Sequence, residues 1–137
     1  MSRRGKLVTL LAGTALLLAA AGAWADEDIS FKRRGDAEKR FVTAAGTAVV
    51  KAAHPTAKNI DLVEYKYTTP KPNRTDLALK MEYHGKATNK RYVATIVVKI
   101  DSSNKDAWEV LNIDYSDNNN VPYSAKKVQE LIKTFNK

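Results

Sequence analysis

His54 and His84 are the chain's two histidines, and it has no cysteine. A closed zinc site would therefore need two carboxylates brought in from elsewhere. His54 precedes Pro55 at the end of a helical pattern and His84 precedes Gly85 at the end of a strand pattern. Both are expected at the surface, and would carry protons only if a cleft enclosed them. Asp114, Ser116 and Asn118 alternate as at the start of a calcium loop, but Asn119 stands where that loop needs its turn glycine and Ala125 where it needs a bidentate glutamate. An Asx-rich connection accounts for the same residues. There is no Gly-x-Ser-x-Gly elbow and no glycine cluster for a phosphate. Asp76 and Glu82 flank Lys80 at alternate positions, as solvated charge does on a wet sheet face. Asn73-Arg74-Thr75 matches a glycosylation sequon by chance. The reading is a non-catalytic protein with no cofactor and no metal. A small envelope hydrolase with an unrecognised site is an alternative, and would place a deep pocket near His84 with Glu82 or Asp76.

The context in which any site would work is set by the first 25 residues. Arg3, Arg4 and Lys6 precede an apolar run from Leu7 to Ala23, and Ala23-Trp24-Ala25 supplies a small-x-small cleavage site. This is the layout of a cleaved signal peptide, and the run is short for a membrane span. The twin arginine partly resembles a folded-protein export signal, but Lys6 stands where that signal favours an apolar residue, so the general secretory route is the expectation. Export to a bacterial periplasm or the extracellular space follows, with no stable membrane anchor after cleavage. Removing 25 of the 137 residues leaves 112, one domain's worth. The leader holds three of the 23 basic residues and none of the 15 acidic ones, so the net charge falls from +8 to +5. That balance suits anionic envelope components, while nucleic acid is not an expected partner of a secreted chain.

The remainder divides into residues 26–35, polar and aperiodic and expected as a flexible arm, and a single domain over 36–137. Asp36 is placed to cap a helix, with Glu38 in its first turn. Phe41, Ala45, Ala48 and Ala52 recur at helical spacing as far as His54-Pro55. Gly46 costs this helix about 1 kcal/mol relative to alanine, which implies close approach to strands beneath. Four strand patterns follow. Asn59–Tyr67 switches parity midway, which predicts a bulge, and Pro70 and Pro72 then turn the chain. Thr75–His84 and Arg91–Asp101 alternate cleanly. Ala107–Tyr115 places Leu111, Ile113 and Tyr115 on one face and Trp108 and Val110 on the other. After Pro122, Ser124 is positioned to cap a last helix bearing Val128, Leu131, Ile132 and Phe135. Short connections favour an antiparallel meander. The predicted fold is α+β, a two-layer domain of N-terminal helix, four-stranded meander and C-terminal helix.

Arg91–Asp101 is the central strand. Tyr92, Ala94, Ile96, Val98 and Ile100 should be core, which leaves Val93, Thr95 and Val97 on the outer face. The candidate binding face comprises Lys80, Glu82, His84, Arg91, Val93, Thr95, Val97, Lys99 and Trp108, a weakly apolar centre ringed by charge. Whether the last helix covers it is left open. A homodimer through this face is one possible use; an unknown protein or an anionic envelope component is another.

A helix followed by a four-stranded meander resembles the cystatin-like fold over Asp36 to Tyr115, and is similar in general shape to exported PepSY domains. The cystatin resemblance implies a wedge that enters a protease cleft, built here from the arm before Gly35, from Pro70, Lys71, Pro72 and Arg74, and from Ser102, Ser103 and Asn104 with Trp108 shortly after. The first loop lacks Gln-x-Val-x-Gly, the second lacks Pro-Trp, and the C-terminal helix is extra. Protease inhibition is therefore the runner-up to a binding module.

Overall fold

Alternating apolar residues on two adjacent strands make the spine of the molecule. The computed structural model describes residues 29–33, 38–86 and 90–137. Strands β2 (Arg74–His84) and β3 (Arg91–Asp101) pair antiparallel without a break, from Arg74 opposite Asp101 to His84 opposite Arg91. Leu77 therefore meets Val98, Leu79 meets Ile96, Met81 meets Ala94 and Tyr83 meets Tyr92, and all eight are buried. Strand β1 (Lys58–Lys71) lies beside β2, and β4 (Glu109–Asp117) beside β3, giving the order β1-β2-β3-β4. The expected meander is the observed one.

The parity switch in β1 is a bulge. Leu62 pairs with Met81 and Glu64 with Lys80, so Val63 is the extra residue, and it is 44% exposed. The strand also runs on through Pro70 to Lys71, past the turn expected from Thr68 onward, because an edge strand tolerates a residue that donates nothing to the ladder. The turn is made at Pro72 and Asn73. Asn73 has φ 65°, the left-handed region that asparagine enters more easily than most residues.

An irregularity in β4 changes which residues are core. Ile100 pairs with Val110 and Lys99 with Asn112, which leaves Leu111 unmatched and 51% exposed. This extra residue reverses the facing of everything before it. Trp108 and Val110 turn inward and Leu111 turns out, the opposite of simple alternation, so Trp108 belongs to the core and leaves the candidate outer face.

Helix α1 (Lys39–Ala53) lies across this inner face. A Cβ added at Gly46 would stand 2.7 Å from Met81 Sδ and 3.1 Å from Leu79 Cδ2, the close approach that its glycine implied. Glu38 occupies the cap position without a side-chain hydrogen bond, one residue ahead of the first turn expected for it, and Asp36 lies outside the described residues. Helix α2 (Ala125–Phe135) packs against α1 and β4, on the same side of the sheet. Ser124 caps it by accepting from the Lys127 N–H. Its polar residues also close the β4 edge: Asn136 Oδ1 accepts from the Val110 N–H at 2.7 Å, Asn136 Nδ2 donates to the Val110 carbonyl at 3.0 Å, and Gln129 Nε2 donates to the Ile113 carbonyl at 2.7 Å.

The segment read as a flexible arm is described over 29–33, and there the reading needs correction. Phe31, in a single 3-10 turn (Phe31–Arg33), is 0% exposed and packs edge-on against Phe41 and Phe135, each at 4.9 Å. An aromatic ring that joins both helices is core. The expected leader and cleavage site lie outside the described residues. Among the described residues no helix is long and apolar enough to cross a membrane.

Candidate functional site

Both inward tyrosines of the strand ends need a partner for the hydroxyl when the ring is buried. Tyr83 is the penultimate residue of β2 and Tyr115 lies near the end of β4, and both hydroxyls donate to Asp117 Oδ2, at 2.9 and 2.6 Å. His54, the C-cap residue of α1, reaches the same oxygen through Nε2 at 2.8 Å. Its ring stacks on Tyr83 with centroids 5.5 Å apart. The Asn119 N–H donates to Asp117 Oδ1 at 3.1 Å, and Asn119 Nδ2 donates to the Tyr83 hydroxyl at 3.1 Å. His54 is thus buried rather than on the surface. The helix ends directly over the strand ends, and the pre-proline conformation carries the ring inward.

The electrostatics follow from that convergence. Burial alone would raise the Asp117 carboxyl, but hydrogen bonds from Tyr115, Tyr83, His54 and the Asn119 backbone hold it below the usual carboxylate range. Burial, reinforced by the adjacent carboxylate, pushes Tyr115 far up. Tyr83 is pushed up to about 12, mainly by burial. The cluster is a fixed anion with proton donors locked onto it. Donation from Nε2 leaves Nδ1 of a neutral His54 as the acceptor. A cavity of about 230 Å³ lies alongside, lined by His54, Thr56, Ala57, Tyr83, Tyr92 and Val121 among others. A carboxylate that orients an imidazole is half of a nucleophile-activating arrangement, yet no hydroxyl among the described residues is hydrogen-bonded to the ring. The sequence signal for this cluster was the pair of inward tyrosines; Asp117, the last residue of β4, stands where an Asn-rich stretch breaks the strand pattern.

Of the residues named for the hydrolase alternative, His84 and Glu82 stand two positions apart on the outer face of β2, and each is hydrogen-bonded to a different neighbour. His84 is half-buried, with Nδ1 2.8 Å from Asn59 Nδ2. Glu82 bonds Arg91, and Asp76 stands 3.2 Å from Arg74, an electrostatic contact without hydrogen-bond geometry. The described cavity beside a histidine is on the His54 side.

The outer face does come together, apart from Trp108. Lys80 and Thr95 are exposed, and Glu82, His84, Arg91, Val93, Val97 and Lys99 are half-buried by neighbours on the face. Arg91 pairs with Asp61 at 3.1 Å and Glu82 at 3.2 Å, and Lys99 pairs with Asp114 at 3.2 Å. A shallow depression bordered by Glu64, Lys66, Ala78, Lys80 and Thr95 crosses its middle. Neither helix covers it, because both pack on the opposite side.

The loop-edge residues also share one end of the sheet. The Ser102 N–H donates to the Asn73 carbonyl at 2.9 Å, and Ser102 and Thr75 join hydroxyls at 2.7 Å. Pro70, Lys71, Pro72, Ser103 and Asn104 are exposed, while Arg74 and Ser102 are half-buried. Asp101 accepts from the Ser103 N–H at 3.0 Å, and the Ser103 side chain and backbone together hold its carboxyl below the ordinary range.

No family model, no curated protein and no solved structure matches this chain.

Proposed function

We propose that this chain is a small exported, non-catalytic binding module that meets a protein partner through the open face of its sheet. The observation that carries this reading is the placement of both described helices on the other face, which leaves the half-buried Val93, Val97 and Ala78 without helix cover among the described residues, within a ring of charge. The carboxylates of Asp61, Glu82 and Asp114 already balance Arg91 and Lys99. That balance favours a partner surface of mixed charge over an anionic polymer, because a self-neutralised face offers no net attraction to one. Photo-crosslinkers placed at Thr95, at Ser103 and at Lys127 test the reading in envelope extract. A specific adduct at Thr95 alone supports it; adducts equal at all three positions, or absent at Thr95, overturn it.

The loop edge supports a second reading as a cystatin-like wedge. The two hairpin loops are hydrogen-bonded side by side, as a wedge entering a cleft requires. Titration into papain-type and serine protease assays tests it, and undiminished protease activity removes it.

A further inference from the structure

The two edges of the sheet are treated differently. The β4 edge is closed by Asn136 and Gln129, whose amides occupy its backbone groups as a neighbouring strand would. The β1 edge is 14 residues long, with register shifts between Lys58 and Asp61, at Val63 and between Thr68 and Lys71, and no strand among the described residues lies beyond it. Ile60, Leu62, Tyr65 and Tyr67 line its inner side and are only partly buried. An open edge of this length is a template for another strand.

We infer that β1 pairs antiparallel with β1 of a second copy about a two-fold axis between Val63 and Glu64, joining two sheets into one of eight strands. The bulge selects the axis. Ile60 and Leu62 before it share the inner face with Tyr65 and Tyr67 after it, so faces match on both sides only if the axis passes at the bulge itself. An axis between Leu62 and Val63 would set Asp61 against Glu64 of the other copy, a like-charge pair on the outer face. An axis between Val63 and Glu64 sets Asp61 against Lys66 twice, with Leu62 opposite Tyr65 and Ile60 opposite Tyr67 on the inner side. Opposite charges and apolar–aromatic pairs across strands are each favourable. A C2 interface must be self-complementary, and this strand is so in one register. The pairing leaves the open sheet face free.

Sedimentation of the purified protein over a concentration series is the test. The expected species is a dimer. Lys66→Asp, at an exposed position, sets aspartates opposite one another at two places and should weaken the dimer by about tenfold or more. The double exchange Asp61→Lys with Lys66→Asp should restore it, with circular dichroism reporting an unchanged fold in both variants. A wild-type monomer at millimolar concentration overturns the inference, and so does a dimer indifferent to Lys66→Asp or one that the double exchange fails to rescue.

Discussion

Tyr115 donates its hydroxyl hydrogen to Asp117 over 2.6 Å, from two positions earlier on the same strand. Alternate strand residues share a face, so this places a carboxylate on the inner side of the sheet, its side chain only 4% exposed. Three donors on one oxygen make that burial tolerable. Asp117→Asn should destabilise the protein by about 3 kcal/mol, since a neutral amide accepts more weakly and leaves donors of His54 and the tyrosines poorly paired. Urea titration at neutral pH measures it.

The same carboxylate gives a pH dependence of known sign. Its folded pKa is depressed, so its contribution is complete above the unfolded value of about 3.9 and is lost as pH falls through the lower folded value. The stability gap between wild type and Asp117→Asn should therefore narrow on acidification below about pH 4. A gap that stays constant down to complete protonation would mean that the carboxylate is not depressed.

The bulge at Leu111 separates Trp108 from Val97, its companion in the expected outer face. Trp108→Ala should cost about 3 to 5 kcal/mol as a core truncation, whereas Val97→Thr on the open face should stay within about 0.5 kcal/mol. Ile96→Ala, at the middle of the buried spine, should cost about 2 to 5 kcal/mol. Thermal and urea unfolding of the three variants check the contrast.

Gly46→Ala raises helix propensity by about 1 kcal/mol but drives a methyl into the buried Met81 and Leu79. Overpacking of this kind costs about 1 to 3 kcal/mol, so the variant should be less stable than wild type. Shortening Met81 to valine in the same chain should cost less than the sum of the two single changes. A double-mutant cycle measures that coupling.

Asn136→Ala removes both side-chain bonds to Val110 and opens the β4 edge. Loss of about 1 to 2 kcal/mol is expected from the abandoned hydrogen bonds. The Val110 amide should lose protection in hydrogen exchange, while the Leu79 amide at the sheet centre keeps its own.

Periodicity by itself determined the element order, the inward set of β2 and β3, the β1 bulge and the close approach at Gly46, because each depends on local spacing or on the absence of a side chain. Three features were decided only in three dimensions. The extra residue in β4 is set by the partner strand, since alternation reads the same until a neighbour fixes the register; it moved Trp108 from outer face to core. Phe31 is buried because helices distant in sequence leave a gap for its ring, which no local pattern in a charged segment announces. The cluster of His54, Tyr83, Tyr115, Asp117 and Asn119 joins residues up to 65 positions apart. Each is unremarkable in its own stretch, and only packing α1 over the strand ends makes one carboxylate the common acceptor.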